Sequence, residues 1–176
     1  MFNEKIKNEH LNRLSSEDFK TKEKLPVIVV LDNIRSLNNI GSVFRTADAF
    51  LIEQIILCGL CGTPPNKEIE KTALGATSTV GWSYFSSTVE AIKDLKNRNY
   101  HIVSIEQVEN KTWLQNFHLN DKKIALIFGN EVYGVDQNVI DLSDEVVEIP
   151  QLGTKHSLNI SVSVGIVLWE IVRTKI

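Results

Sequence analysis

The sequence predicts an α/β domain built on a parallel sheet, and three observations support this prediction. Short apolar runs alternate with segments of helical period along most of the chain, which is typical of a parallel sheet covered by helices. The first run, Pro26–Leu31, is rich in β-branched residues, as expected for a strand that is buried on both faces. Phe128–Gly134 and Ile149–Asn159 each continue from an apolar run and turn at glycines. Because ligands bind at the carboxyl edge of open α/β sheets, these two loops predict one pocket walled mostly by main chain.

The composition predicts one domain preceded by a short charged extension. With 176 residues and 43% hydrophobic content, the chain can bury one sizeable core, which we place at residues 26–176. Residues 1–25 carry basic side chains that their acidic neighbours nearly cancel, which favours a solvated, charged helix. No apolar stretch approaches the roughly 18 residues of a membrane span, and the N-terminus lacks the apolar core of a signal peptide. We therefore expect a soluble, cytoplasmic protein that makes no membrane contact.

A helix is predicted after the first strand. From Asn39 the apolar spacing becomes helical, and one face collects Ile40, Val43, Phe44 and Ala47. This period marks an amphipathic helix. Asn38 or Asn39 can cap its N-terminus.

The later elements alternate in the same way. Helices are predicted at Lys67–Leu74, Thr88–Asn97 and Asp136–Leu142. Strands are predicted at Gln54–Cys58, Trp82–Phe85, His101–Ile105, Lys123–Phe128 and Glu145–Ile149. The last segment is ambiguous, because residues 157–164 alternate like a strand while the apolar pattern continues through Val172. Its length favours a buried C-terminal helix.

The two cysteines form the pair Cys58-x-x-Cys61, a spacing found in redox and zinc sites. A zinc site would need a second pair of ligands, and a redox pair of the thioredoxin type opens a helix. Here Cys58 ends an apolar run, and Gly-Thr-Pro-Pro follows Cys61. We therefore predict a structural role for both thiols and no metal.

Candidate functional residues are polar side chains near the predicted strand ends. The nucleophile motif G-x-S-x-G is missing, and residues 153–157 lack the spacing of a phosphate-binding loop. The candidates that remain are Asn33, Arg35, Asn38, Asn39, Arg45, Glu131, Ser157 and Asn159. Gly41 lies one turn before Arg45, and we expect it to leave open space beside the guanidinium. Taken singly, these residues are ordinary helix caps and solvated charges, and only their combination with two glycine loops favours a functional site.

Three motifs in this set resemble the signature of the SpoU (TrmH) family. The first is Asn39-x-Gly41-x-x-x-Arg45-x-Ala47-x-Ala49. The second is Gly129-Asn130-Glu131-x-x-Gly134, and the third runs from Ile149-Pro150 through Ser157-Leu158-Asn159. The resemblance extends from about Val27 to the C-terminus. Members of this family are S-adenosylmethionine-dependent RNA ribose 2′-O-methyltransferases with an α/β-knot fold.

The resemblance implies a C-terminal trefoil knot, a rare exception to the rule against threaded chains, and a homodimer with each active site near the interface. It implies that S-adenosylmethionine is held by Gly129, Ile149, Leu158 and, as a plausible addition, Gln151. It casts Arg45 as the activator of the ribose hydroxyl, oriented by Asn39, Glu131, Ser157 and Asn159. A guanidinium effectively never deprotonates in a protein. We therefore expect Arg45 to stay cationic, to bind an RNA phosphate and to stabilise the alkoxide form of the ribose hydroxyl.

The expected substrate is structured RNA, contacted by Arg35, Arg45, Lys155 and His156. The formal charge of −3 argues against a broadly basic binder, but clustering rather than total charge decides RNA binding. Family members with short N-terminal extensions often act on tRNA, so tRNA is expected ahead of rRNA. Leu51 and Gln151 depart from the family's frequent Gly and Met. Two alternatives stay open, a catalytically silent RNA-binding knot protein and a small-molecule α/β enzyme.

Overall fold

In the described part of the chain, seven parallel strands form a single sheet. The structure is a computed structural model that describes residues 3–7, 10–118 and 122–173. The strands are β1 (Leu25–Asp32), β2 (Ile52–Cys58), β3 (Gly81–Phe85), β4 (His101–Ile105), β5 (Thr112–Trp113), β6 (Ile124–Phe128) and β7 (Glu145–Glu148). Their order across the sheet is β3-β2-β1-β6-β4-β7-β5, and all neighbours pair in parallel. The predicted parallel sheet and its predicted strands are confirmed, and only the two-residue β5 was not predicted.

Helices cover both faces of this sheet. They are α1 (Ser16–Thr21), α2 (Leu37–Ala49), α3 (Lys67–Ala73), α4 (Thr88–Asn97), α5 (Gln137–Leu142) and α6 (Ile160–Val172). One apolar core joins the sheet to α2, α3 and α6, and a second core joins the other face to α4 and α5. None of the helices in the described ranges combines the length and the apolar composition that a membrane span requires.

Strand β1 lies inside the sheet, next to the central strand β6, and helps to position the functional edge. Its residues 27–31 pair with residues 124–128 of β6, and its other side pairs with β2. Val27, Val29 and Leu31 enter one core, while Ile28 and Val30 enter the other, which explains the continuous apolar run. Because every strand is parallel, the loops after β1, β4, β6 and β7 all emerge at the same edge.

The N-terminal extension differs from the predicted solvated helix. Among its described residues the α-helical part is limited to α1, and Phe19 within α1 is only 5% exposed and belongs to the same core as the buried face of α2. The Lys24 ammonium lies 4.4 Å from the Phe19 ring centroid. Burying one aromatic side chain contributes about 1.5–3 kcal/mol, whereas a surface ion pair contributes about 0–1 kcal/mol. The ring, rather than charge balance, therefore fixes this segment.

Helix α2 corrects two predictions. Its N-cap is Ser36, whose side chain accepts a hydrogen bond from the backbone N–H of Asn39 at 3.3 Å, so neither Asn38 nor Asn39 is the cap. Ser and Asn are similarly good caps, and the sequence alone does not choose between them. The prediction that Gly41 opens space beside Arg45 is also wrong. A Cβ at Gly41 would lie 2.1 Å from Thr72 Oγ1 and 2.2 Å from the Ile69 carbonyl oxygen, so this glycine lets α2 and α3 pack closely.

Helix α6 confirms the helical prediction for the C-terminal segment. Its N-cap is Asn159, whose side chain accepts from the backbone N–H of Ser161. Burial is confined to one side, which includes Val164, Val167 and Leu168. On the other side an apolar stripe stays exposed, formed by Val162 (49%), Ile166 (38%) and Trp169 (50%). The helix is therefore apolar on both sides but buried on only one.

Candidate active site

The two glycine loops line one pocket, as the sequence predicts. The pocket has a volume of about 330 Å³, within the range of small-molecule sites. It lies at the carboxyl ends of β4, β6 and β7 and at the start of α6. Its lining includes all four residues expected to hold a cofactor, namely Gly129, Ile149, Gln151 and Leu158, and three of the five expected catalytic residues, namely Glu131, Ser157 and Asn159.

The loop after β6, residues 129–135, is held in one shape by its own main chain. Asn130 and Gly134 exchange two backbone hydrogen bonds of 2.9 Å. The Asn130 side-chain oxygen also accepts from the backbone N–H groups of Val132 and Tyr133, at 2.9 and 3.3 Å. A Cβ at Gly129 would lie 2.1 Å from the Gly134 carbonyl carbon, so only glycine permits this close approach. The loop is thus preorganised as a wall of peptide groups.

Glu106 joins the end of β4 to this loop. One of its carboxylate oxygens accepts from the backbone N–H of Val135 at 2.8 Å, and the other accepts from that of Gln107 at 2.8 Å. Gly134 has a φ of +70°, and a Cβ there would lie 2.3 Å from the Glu106 carboxylate. Glu106 was not among the predicted site residues, although an acidic residue directly after a buried strand is a usable signal.

Three predicted residues from distant parts of the chain meet at the rim of the pocket. The Asn39 side-chain amide donates to Glu131 Oε1 at 3.4 Å, and the Asn39 amide oxygen accepts from the Asn159 side chain at 3.2 Å. Asn159 in turn caps α6. The series Glu131–Asn39–Asn159 therefore links the loop after β6 to α2 and α6. These side chains are partly or well exposed, so a ligand in the pocket can reach their remaining donors and acceptors.

The loop after β1 supports the loop after β6 from below. The Asn130 side-chain amide donates to the Asn33 carbonyl oxygen at 2.7 Å. Asn33 has a φ of +56°, a region that Asn tolerates better than most residues. Its side-chain oxygen accepts from the backbone N–H of Leu60 at 3.0 Å, and its amide donates to the buried Asp32 at 2.8 Å. Asn33 is therefore a structural link between three loops.

Both cysteines are free and buried beneath this edge, which supports the predicted structural role. Cys61 Sγ accepts from the backbone N–H of Ile34 at 3.1 Å and donates to the Leu31 carbonyl oxygen at 3.3 Å. Burial raises the pKa of Cys58 to about 12 and that of Cys61 to about 11. Since the thiolate is the reactive form and the metal ligand, both sites are poorly suited to redox chemistry. No cluster of three potential metal ligands occurs among the described residues.

Arg45 lies apart from the pocket that the other predicted catalytic residues share. It is exposed on α2 and lines a second cavity of about 580 Å³, together with Arg13, Asp48 and residues of the turn after α3. The remaining predicted RNA contacts are exposed. Arg35 lies beside the rim of the pocket, where its backbone N–H is 3.5 Å from Glu131 Oε2. Lys155 and His156 lie on the loop after β7, and the His156 carbonyl oxygen accepts from the Gln107 side chain at 2.8 Å.

Two carboxylates give the smaller pocket its charge. The described residues that line it include Glu106 and Glu131 but no Lys or Arg. Fixed negative charge favours a ligand that carries positive charge, and the peptide groups of the two loops offer hydrogen-bond donors and acceptors to the rest of such a ligand.

Fold and site together define an α/β protein that binds a small ligand between main-chain loops at the carboxyl edge of a parallel sheet. Residues 26–169 match the family described as the SpoU rRNA Methylase family. Because the match covers most of the 176 residues, this chain belongs to the SpoU rRNA Methylase family.

Relatives and solved structures agree with this assignment. An uncharacterized tRNA/rRNA methyltransferase of Borreliella burgdorferi is 36% identical over 157 residues, 89% of this chain and 68% of its own. The A. aeolicus TrmH/SpoU tRNA modifying enzyme has a TM-score of 0.79 at 26% identity, covering 91% of this chain and 80% of that one. The SpoU methyltransferase AviRb from Streptomyces viridochromogenes, solved in complex with AdoMet, has a TM-score of 0.77 at 25% identity, covering 84% of this chain. The present chain spans only 60% of the AviRb chain and 62% of a Staphylococcus aureus relative.

Proposed function

We propose that this protein transfers a methyl group from S-adenosylmethionine to a ribose 2′-hydroxyl of structured RNA. The observation that carries the proposal is the hydrogen-bonded series Glu131–Asn39–Asn159 at the rim of the glycine-walled pocket. It provides polar groups for a hydroxyl beside a cavity of cofactor size. Family membership and the AdoMet complex of AviRb support the choice of cofactor.

The residues of the pocket fit S-adenosylmethionine. The cofactor supplies an electrophilic methyl group on a positively charged sulfur. Glu106 and Glu131 give the pocket negative charge, which favours a cationic ligand. Gly129 leaves the peptide groups of its loop unobstructed, while Ile149 and Leu158 add apolar surface. We assign these three residues and Gln151 to cofactor binding.

The proposed reaction requires positioning and charge stabilisation more than covalent help. The ribose hydroxyl must face the methyl group in line, and its oxygen gains negative charge as the proton leaves. Asn39 and Asn159 can hold the ribose, and Glu131 can accept a hydrogen bond from the hydroxyl. Ser157 adds a hydroxyl to the pocket wall. Arg45, as a permanent cation, would bind the neighbouring phosphate and stabilise the alkoxide.

The position of Arg45 in a second cavity supports a dimeric enzyme. The exposed stripe Val162, Ile166 and Trp169 on α6 is an apolar surface of the kind that protein partners cover. The ring centroids of Trp169 and Phe50, at the end of α2, are 6.4 Å apart. The stripe therefore adjoins the helix that carries Arg45. We propose that two copies pack through this surface and that Arg45 completes the active site near the interface.

The finer features of the enzyme are proposals on the same basis. We propose that the loops after β6 and β7 form a trefoil knot around α6. Residues 26–176 would be the methyltransferase domain and residues 1–25 an extension anchored by Phe19. Arg35, Lys155 and His156 would contact RNA phosphates. The A. aeolicus relative is a tRNA modifying enzyme, which supports tRNA ahead of rRNA and a cytoplasmic site of action.

The test is methyl transfer from labelled S-adenosylmethionine to unmodified tRNA and rRNA, followed by digestion to nucleosides. The expected product is a 2′-O-methylated nucleoside in tRNA. Arg45→Ala should lower kcat by about 10²-fold, the usual effect of removing one group that stabilises an oxyanion. Lys93→Ala is the charge-matched control, because Lys93 is exposed on α4 over the opposite face of the sheet. A methylated base would refute ribose chemistry, and RNA binding without transfer would favour the catalytically silent binder.

A further inference from the structure

The rim of the candidate active site carries large apolar side chains in water. Tyr133 on the loop after β6 is 88% exposed, and its neighbour Val132 is 74% exposed. Leu152, on the loop after β7, is fully exposed. Single exposed apolar residues are ordinary, but here both loops that wall one pocket carry them. Such a grouping at a pocket mouth marks a surface that binds something.

The backbone that carries the exposed Tyr133 ring is fixed by hydrogen bonds. Its N–H and that of Val132 both donate to the Asn130 side chain. Two backbone hydrogen bonds between Asn130 and Gly134 close the loop around it. Only the two side-chain torsions of Tyr133 remain to be fixed on binding, so the entropy lost when the ring meets a flat partner is small.

The position of Tyr133 identifies the kind of partner. It follows Glu131 by two residues, and Glu131 accepts a hydrogen bond from Asn39 in the series that would hold the ribose. A nucleobase is bonded directly to its ribose, so a ribose at this rim brings its base to the same loop. The basic residues Lys155 and His156 share the other loop with Leu152, where an RNA backbone would find positive charge.

We propose that Tyr133 is a stacking platform for the unpaired base of the target nucleotide. The inference rests on the proposed function and extends it to the form of the substrate. Stacking on a side chain needs a base that is free of its neighbours in a helix, so the enzyme selects nucleotides in single-stranded loops rather than in duplexes. Tyr133 thereby determines specificity without taking part in the bond changes.

Kinetics of ring variants test the platform. Tyr133→Ala should raise the KM for RNA roughly 5- to 150-fold, the range for loss of one base–aromatic stack. The kcat should change little, because the stack is present in both the ground state and the transition state. Tyr133→Phe keeps the ring and should restore the KM. Val132→Ala removes an exposed apolar side chain from the same loop and should leave the KM unchanged. An unaltered KM in Tyr133→Ala, or equal losses in Tyr133→Ala and Val132→Ala, would overturn the inference.

A binding measurement separates this inference from the proposed function. Tyr133→Trp adds a fluorophore at the platform to the three native Trp residues, so the emission is read as the difference from the wild type. This added emission should be quenched by a short single-stranded RNA but not by a duplex of the same sequence. Quenching in a protein that shows no methyl transfer would support the platform while refuting the proposed reaction. Methyl transfer without quenching would refute the platform alone. If Tyr133→Ala instead converts a dimer into a monomer in light scattering, the ring is a subunit contact and the inference fails.

Discussion

Gly41→Ala is the substitution for which sequence and structure predict opposite results. Gly41 lies inside α2, where replacing glycine by alanine normally stabilises a helix by about 1 kcal/mol. In this structure the added Cβ would lie 2.1 Å from Thr72 Oγ1 and 2.2 Å from the Ile69 carbonyl oxygen. The Thr72 side chain can rotate, but the Ile69 oxygen belongs to the backbone of α3 and cannot move alone. The two helices must therefore separate.

The expected magnitude follows from these two opposing effects. Forcing an extra methyl group into a packed contact costs about 1–3 kcal/mol, and the gain in helix propensity offsets about 1 kcal/mol of that. Since a Cβ at Gly41 would lie 2.2 Å from a backbone oxygen, the packing cost should fall in the upper part of this range, at about 2–3 kcal/mol, which leaves a net loss of about 1–2 kcal/mol. For a chain of this size it corresponds to a Tm lower by roughly 2–8 °C. Urea unfolding followed by far-UV circular dichroism measures it directly.

Gly165→Ala provides the matched control. Gly165 also lies inside a helix, α6, but a Cβ there would meet nothing within 4 Å. This variant should gain up to about 1 kcal/mol. Both variants should be measured at two protein concentrations, because loss of a subunit contact would make the change depend on concentration. A Gly41→Ala protein as stable as the wild type would refute the close α2–α3 packing.

Three further predictions concern the buried thiols, the N-terminal anchor and the link between loops. Because burial raises the pKa of Cys58 and Cys61 above the usual 9.0, the unfolded chain loses these protons first. The thiols' contribution to stability should therefore be constant below pH 9 and fall by up to about 1.4 kcal/mol per pH unit for each thiol up to about pH 11. A Cys58→Ala/Cys61→Ala variant whose urea midpoint declines just as steeply between pH 9 and 11 would contradict this. Phe19→Ala should lower the free energy of unfolding, measured in urea, by about 3 kcal/mol and speed limited proteolysis of the first 25 residues. Lys24→Ala should lower it by less than about 1 kcal/mol, and equal losses in the two variants would show that the ring is not the anchor. Glu106→Ala should weaken S-adenosylmethionine binding about tenfold in calorimetry, because two backbone N–H groups lose a charged acceptor. Glu106→Gln keeps one acceptor and should lose less affinity. Unchanged affinity in both variants would show that Glu106 does not shape the pocket.

The strands were predictable because their side chains are buried on both faces. In β1 the whole run Val27–Leu31 is inaccessible to solvent. A continuous apolar, β-branched run therefore identifies the strand without information on distant contacts. The C-terminal helix was predictable only by length. Its first turn alternates in polarity because Asn159 is a cap and Ser161 donates to it, a local hydrogen bond that hydrophobic period does not detect.

The parts that could not be predicted depend on contacts between distant segments. Gly41 belongs to a helix contact with Ile69 and Thr72, and nothing in its own neighbourhood shows which helix lies opposite. The position of Glu106 directly after a buried strand was a usable signal, but its role was not predictable, because its partner is the backbone N–H of Val135 and residue types do not identify a backbone partner. The meeting of Asn39, Glu131 and Asn159 was expected only from a family resemblance, since their spacing along the chain carries no geometric information.

The order of the strands has a consequence for how this protein folds during its synthesis on the ribosome. The inner edge of β1 pairs with residues 124–128, so the centre of the sheet stays open until most of the chain has been translated. At about 5–20 residues per second, that delay lasts roughly 5 to 20 s. During this time β2 and β3 can pair on one side of β1, while its other edge presents unpaired peptide groups between apolar faces. Such an exposed edge is a template for aggregation. We therefore expect the nascent N-terminal half to depend on chaperones, and expression of residues 1–100 alone to give insoluble protein.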